Sequence, residues 1–260
     1  MSDVIENWVS ALQQADENST RKPLLSQRFQ LQDMDIAYEI QAKYVDWKLA
    51  QGNTILGYKA ALTAEAGQKL FAAKGPGTGV LFTSGKRESG VVLRLADFHR
   101  AGLEVEIGYR LNSAVTEAVT PETVMSVIGE ILPMVEVVDL GYADTEGLQE
   151  NIDAIDFMAG NSASAQFIIG KFEQFDGDVN NLQISLSQDG EEIFNGHGSD
   201  ALGNQLDALV FLINQTLSLN YPINSGHYLM TGSLGRLHFA EPGKYVANYG
   251  EFGQIHFSCE

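Results

Sequence analysis

The strongest constraint in this chain is the stretch Gly102-Leu-Glu-Val-Glu-Ile-Gly-Tyr-Arg-Leu111. Leu103, Val105, Ile107, Tyr109 and Leu111 alternate with Glu104, Glu106, Gly108 and Arg110, the period-two signature of a strand with one apolar face. Side chains at i and i+2 point the same way, so Glu104 and Glu106 sit about 6–7 Å apart along the polar face. Gly108, next on that face, adds no side chain and is expected to leave open space beside them. Bare carboxylates at this spacing repel unless solvent or a cation lies between them. The alternation alone leaves two readings open, a solvated polar face and a metal site. A second stretch, Met134-Val-Glu-Val-Val-Asp-Leu140, offers Glu136 among apolar neighbours. Three carboxylates on two strands make a hard-oxygen site suited to Mg²⁺ or Mn²⁺, with positions left for water and substrate.

At 260 residues the chain can bury roughly 70–75% of its unfolded surface, so it needs no covalent staple. Cys259 is the only cysteine, which rules out an internal disulfide or a zinc–cysteine cluster. No basic segment followed by an apolar core opens the sequence, and no apolar run approaches the ~18 residues that span a bilayer. A cytoplasmic protein without membrane association is the expectation. The formal charge of −18 argues against nucleic acid and anionic membranes as partners. It also gives an anionic substrate no long-range attraction, so such a substrate needs local cations, a metal above all.

The remaining elements follow from periodicity. Val4, Trp8 and Leu12 mark a short amphipathic helix within residues 1–20, and residues 21–31 read as a connector. Asp33 or Asp35 can cap the next helix, whose Ile36, Ile40, Tyr44 and Trp47 share a face and which stops at Gly52. Residues 54–63 read as a strand with Lys59 among apolar residues, the usual setting of a lysine whose head reaches water. Lys74-Gly-Pro-Gly-Thr-Gly79 predicts a mobile loop over about 72–90. It is not a phosphate-binding loop, because Arg87 follows Gly85-Lys86 where Ser or Thr is needed. Thr120-Pro-Glu predicts a helix start, with Val124, Val127, Ile128 and Ile131 buried and Pro133 as its end, so that Glu136 opens the next strand. Residues 144–152 form a polar connection. Small residues crowd Asn161-Ser-Ala-Ser-Ala165, a strand follows at 167–170, and Gln188-Asp-Gly190 turns a hairpin. Leu202 to Leu217 carry a second long helical stripe, and short strands fill 227–258. The five histidines lack zinc-hydrolase spacing and no Gly-x-Ser-x-Gly elbow occurs, which leaves little support for nucleophilic hydrolysis.

Several of these stretches, taken in order, resemble the 2-keto-4-pentenoate hydratase / 4-oxalocrotonate decarboxylase family of the fumarylacetoacetate-hydrolase superfamily. They are Ala37-Tyr-Glu-Ile-Gln41, Gly57-Tyr-Lys-Ala-Ala-Leu-Thr63, Leu103-Glu-Val-Glu-Ile-Gly108, Glu136-Val-Val-Asp139, Asp156 with Asn161-Ser-Ala-Ser-Ala165, Leu202 to Asn214, and Thr231-Gly-Ser-Leu234. The resemblance implies an α+β, mainly β fold: a mixed β-sandwich roll over residues 71–260, carrying catalysis, with a small helical cap region at 1–70. It implies a divalent metal, Mg²⁺ or Mn²⁺, on Glu104, Glu106 and Glu136. Lys59 becomes a proton shuttle or an electrostatic partner of an enolate, with Asp156 orienting it. Leu81, Ser162, Thr231 and Ser233 become the substrate-binding residues. The implied activity is a metal-dependent lyase acting on a small 2-oxo acid, with hydration of a 2-hydroxy-2,4-dienoate first. The alternatives are decarboxylation of a 2-oxo-enedioate, a biosynthetic offshoot, or a non-catalytic subunit partnering a related enzyme. A homo-oligomer is the family's expectation. The chain departs from the family's pattern in Ala61-Leu-Thr-Ala64, Gly160-Asn161, Gly203-Asn-Gln-x-Asp207, Gly235 and the loop Leu81-Phe-Thr-Ser-Gly-Lys-Arg87. These changes fall around the substrate and leave the three glutamates intact.

Overall fold

A computed structural model describes residues 2–143, 152–171 and 177–260; the connection expected at 144–152 lies almost wholly outside them. Helix α1 (Ser2–Glu17) and helix α3 (Met34–Ala50) flank a four-residue turn of helix, α2 (Ser26–Phe29). Asp33 caps α3 by accepting a hydrogen bond from the Asp35 amide, and Gly52 follows the helix with φ +91°, both as the sequence predicts. Ile5, Trp8, Val9 and Leu12 of α1 pack on Ala37, Ile40 and Tyr44 of α3 in one buried cluster.

Strands β1 (Ile55–Ala61), β2 (Gly77–Phe82) and β3 (Lys86–Glu88) come next, with helix α4 (Glu65–Leu70) between β1 and β2. The mobile loop expected over 72–90 is therefore corrected. Its centre, β2, pairs antiparallel with β1 and is buried along Gly77 to Leu81. Its glycines gave it the composition of a loop, but they serve close packing: a Cβ at Gly77 would lie 2.2 Å from the Met158 methyl carbon.

After the two-residue strand β4 (Val92–Leu93) come the long strands β5 (Ala101–Leu111) and β6 (Ile128–Asp139). The helix expected from Thr120 is a second correction. Only Val124–Val127 form a single 3₁₀ turn, and Ile128, Ile131 and Pro133 belong to β6. Their spacing fits a helix, but β-branched side chains suit a pleated surface, and β6 is held between two partners. Pro133 accepts a hydrogen bond from Gly170 N through its carbonyl.

Helix α5 (Ala154–Ala159) leads into strand β7 (Ser164–Ile169), and the hairpin β8 (Gln183–Gln188) and β9 (Glu191–His197) turns at Asp189-Gly190. Helix α6 (Gln205–Ser218) precedes four short strands: β10 (Tyr228–Met230), β11 (His238–Phe239), β12 (Gly243–Asn248) and β13 (Gln254–Cys259). Among the described residues the larger sheet runs β2-β1-β10-β5-β6-β7-β3, with β11 also on β5, and the smaller runs β4-β13-β12-β8-β9. This is the expected mixed α+β fold with two sheets. Strand β1, within the first 70 residues, is an interior strand of the larger sheet.

The odd-numbered residues of β5, Leu103 to Leu111, pack into one core with Ile184 and Leu186 of β8, Ala247 of β12 and Leu209 and Leu212 of α6. The even-numbered face of β5 looks the other way, toward α4 and α5. The turn that follows α5 is tied to β2 by the side chain of Asn161. Asn161 accepts from Val80 N at 2.8 Å and donates to Val80 O at 2.9 Å, extending the sheet edge with a side-chain amide. Each buried backbone group left without a partner costs about 1–3 kcal/mol. Asn161→Ala is therefore expected to lower the unfolding free energy by at least about 2 kcal/mol, read by urea denaturation.

Candidate metal centre and active-site cavity

Antiparallel register builds the acidic cluster. Glu104 of β5 stands directly opposite Glu136 of β6, and Glu106 opposite Met134. Side chains facing each other across such a pair share a face, with Cβ atoms about 4.5–5.5 Å apart. Carboxylate oxygens of Glu104, Glu106 and Glu136 lie within 4.8 Å of one another. Glu136 and Glu106 are fully buried and Glu104 is partly exposed. The space expected beside Gly108 is filled, because a Cβ there would sit 2.2 Å from the Met134 sulfur. Met134 closes the cluster on that side and leaves Glu104 as its open end.

Lys59 supplies the counter-charge. It is buried at 1% exposure, and its Nζ donates to Glu136 Oε2 at 2.8 Å. Strand β1 lies three strands from β6 in the pairing order, about 14 Å of flat sheet. The contact forms because the sheet curls and the lysine spans the opening. Phe157 of α5 places its ring 5.7 Å from the same Nζ. Lys59 is thus a member of the cluster and not a surface residue.

The segment between β10 and β11 crosses the other side. Gly232 N donates to Glu106 Oε2 at 2.8 Å, and Leu234 N to Val105 O at 2.8 Å. Gly232 has φ +115°, and a Cβ would overlap the Thr63 hydroxyl at 2.2 Å, so only glycine lets the chain approach both groups. Ser233 points its hydroxyl into the site, buried and with no hydrogen-bond partner among the described residues.

Electrostatics identify what the cluster lacks. Burial raises the carboxyl pKa of all three residues. For Glu106 the neighbouring Glu136 and Glu104 charges add to burial and hold it well above the usual range. Glu136 is pushed to about 7 by burial, with Lys59 opposing the shift. Its second oxygen, Oε1, is buried with no partner at hydrogen-bond distance among the described residues. A divalent cation satisfies all of these conditions: it suits hard oxygen donors, offsets the repulsion and occupies the free oxygen. Lys59 and Gly232 N each hold one oxygen of a glutamate, which orients the other.

The remaining expected site residues lie elsewhere. Asp156 does not meet Lys59, a correction to the orienting role. It accepts hydrogen bonds from Leu25 N, Ser26 N and Ser26 Oγ, fastening the N-terminal segment to α5. Leu81 packs with Leu132, Met134, Phe167, Ile169 and Met230. Ser162 Oγ donates to Thr78 O, and Thr231 Oγ lies 3.1 Å from Ile107 O and 2.7 Å from Gln205 Oε1. None of these three lines the cavity above the carboxylates. That cavity measures about 340 Å³, with Lys59, Glu104, Glu106 and Ser233 at its floor and Leu62, Leu70, Phe71, Val138, Phe157 and Leu237 among its walls. The sequence reading missed these walls and the Gly232 amide.

The sequence matches no family model. It is 30% identical to a 2-keto-4-pentenoate hydratase of Burkholderia vietnamiensis over 227 residues, 86% of this chain and 85% of that protein. The chain belongs to the 2-keto-4-pentenoate hydratase / 4-oxalocrotonate decarboxylase family. A 2-keto-4-pentenoate hydratase of Paraburkholderia phymatum is 29% identical over 258 residues, covering 98% of this chain and 97% of that one. The fold matches that of 4-oxalocrotonate decarboxylase from Pseudomonas putida G7 complexed with magnesium and adipate, at a TM-score of 0.91 and 22% identity over 100% of this chain and 98% of that chain. Among the described residues no helix is long and apolar enough to cross a membrane.

The Asp156 carboxyl is raised to about 6 by burial, against its hydrogen bonds from Ser26 and Leu25. A raised carboxyl pKa means the folded chain holds a proton that the unfolded chain releases near pH 4. Its contribution to stability is full below pH ~4 and is lost as pH rises through about 6. Asp156→Asn is expected to flatten this part of the profile, measured as melting temperature between pH 4 and 7.

Proposed function

We propose that this protein is a divalent-metal-dependent lyase that hydrates a 2-hydroxy-2,4-dienoate. The carrying observation is the meeting of Glu104, Glu106 and Glu136 with Lys59, of which Lys59, Glu104 and Glu106 line a largely apolar cavity. Glu104, Glu106 and Glu136 would hold the Mg²⁺ or Mn²⁺. When bound, the metal supplies Lewis acidity to the substrate's carboxylate and adjacent oxygen, favouring the enolate.

The chain's own groups account for the rest. Lys59 Nζ, the ammonium beside Glu136, is placed to give a proton to the terminal carbon and then, as the neutral amine, to take the enol proton. That transfer turns the dienol into a conjugated ketone, to which water adds with its hydroxyl on the β-carbon and its proton on the α-carbon. Ser233 Oγ, a buried hydroxyl beside Glu104, can bind the substrate carboxylate or the water. The Phe71 and Phe157 rings, 4.7 Å apart between centroids, restrict solvent to what the floor admits.

The test is loss of the dienol absorbance of 2-hydroxypenta-2,4-dienoate with and without Mg²⁺ or Mn²⁺. Turnover is expected only with the cation. Glu104→Gln should abolish turnover while leaving the melting temperature unchanged or slightly raised, since one of three mutually repelling charges is gone. Lys59→Met should lower kcat by at least ~10²-fold with metal affinity retained. Full activity after chelation, or wild-type kinetics in Glu104→Gln, would overturn the assignment.

A further inference from the structure

We infer that Gln205 is a positioning residue for the metal cluster: through the Thr231 hydroxyl it fixes the Gly232 amide that holds Glu106. This rests on the proposed reading that Glu104, Glu106 and Glu136 bind the divalent metal. The stretch from Thr231 to Leu234 carries that amide past the carboxylates, yet the sheet grips it only weakly at its near end. The ladder between β10 and β5 stops at Met230 opposite Gly108. Beyond it the Thr231 amide reaches Ile107 O at 3.3 Å, long for a backbone hydrogen bond. Gly232 then turns the chain away with φ +115°. The next firm backbone contact is Leu234 N on Val105 O at 2.8 Å.

A side chain fixes the near end. Thr231 Oγ lies 2.7 Å from Gln205 Oε1, closer than its 3.1 Å contact with Ile107 O. A hydroxyl has one hydrogen to donate, and the shorter contact is the stronger claim on it. Gln205 opens α6 and is fully buried. Its Oε1 also accepts from Tyr109 Oη at 3.0 Å, its Nε2 donates to Gly198 O at 2.6 Å, and its backbone amide donates to Asn180 Oδ1 at 2.8 Å. The anchor offered to Thr231 is therefore itself held rigidly from the core side of β5. Neither Gln205 nor Thr231 lines the cavity. Their effect on the cluster passes through Gly232 N, 2.8 Å from Glu106 Oε2. The far end of the segment is anchored separately, where Asp200 Oδ2 accepts from Gly235 N at 3.0 Å. Loss of the Gln205 contact thus loosens the amide without freeing the whole segment. Gln205 belongs to Gly203-Asn-Gln-x-Asp207, so one departure from the family's pattern bears on the metal cluster.

The experiment measures Mn²⁺ binding to the whole protein by calorimetry, well below the melting temperature of each variant. Turnover of 2-hydroxypenta-2,4-dienoate is followed in parallel. Gln205→Met keeps the bulk and removes the side-chain hydrogen bonds, and Thr231→Val does the same at the hydroxyl. Each is expected to weaken Mn²⁺ binding by about three- to tenfold, the worth of one hydrogen bond. The double variant should bind no more weakly than the weaker single one, because both changes break the same link. Thr231→Ser, which keeps the hydroxyl, should match the wild type. Unchanged Mn²⁺ affinity in folded Gln205→Met, or losses that multiply in the double variant, overturns the positioning role. If Gln205→Met does not fold, the Thr231 pair decides: a loss in Thr231→Val that Thr231→Ser restores supports the role, and unchanged affinity in Thr231→Val overturns it. The expected order of affinities without turnover in any variant or the wild type supports the positioning role and overturns the proposed reaction. Failure of the wild type to bind Mn²⁺ overturns both.

Discussion

Three carboxyl groups forced within 4.8 Å of one another, with one ammonium among them, are the arrangement around which the rest of this molecule is built. Left to themselves they repel, and burial makes the charged forms dearer still. The fold withstands this because each glutamate is pinned by something else. Two sit opposite each other in a continuous antiparallel ladder, and the third is gripped by the Gly232 amide. The destabilisation is concentrated at one point and is relieved there by a cation, which turns a weakness of the apo protein into affinity for metal.

The two faces of β5 divide the labour. Its odd residues join a core shared by both sheets and α6, which fixes the strand rigidly. Its even residues face a lid of helices and the segment between β10 and β11. Because the same strand belongs to both, a displacement of the carboxylates would require repacking of Leu103, Val105 and Ile107, all fully buried. Precision at the cluster is inherited from the hydrophobic side.

Period-two alternation made β5 legible from sequence, as capping made α3 legible and the Asp189-Gly190 turn made the β8–β9 hairpin legible. The first half of strand β6 was not, because Val124, Val127, Ile128 and Ile131 fall at helical spacing and only pairing with β5 and β7 settles the matter. Strand β2 was hidden by its glycines, whose missing side chains are needed for packing against Met158. At the site, the nearness of Glu104 and Glu106 followed from strand geometry alone. Bringing Glu136 to them requires register, which one sequence does not display. From its apolar neighbours alone Lys59 read as a solvated lysine, and only the family resemblance gave it a role at the site; the groups it meets come from strands far away in sequence. Asp156 looked like its partner, but the short helix α5 turns that carboxylate toward Leu25 and Ser26.

Strand β1 lies parallel to β10, with Lys59 in register with Met230. The two are separated by most of the chain, and the Gly232 amide that steadies Glu106 follows directly after β10. The cluster therefore cannot be completed by local folding. Such distant pairings are slow to form, since loop closure precedes any gain from contact. A nascent chain therefore carries Glu104, Glu106 and Glu136 through the whole interval before β10 arrives, and the cluster is complete only when the C-terminal strands dock.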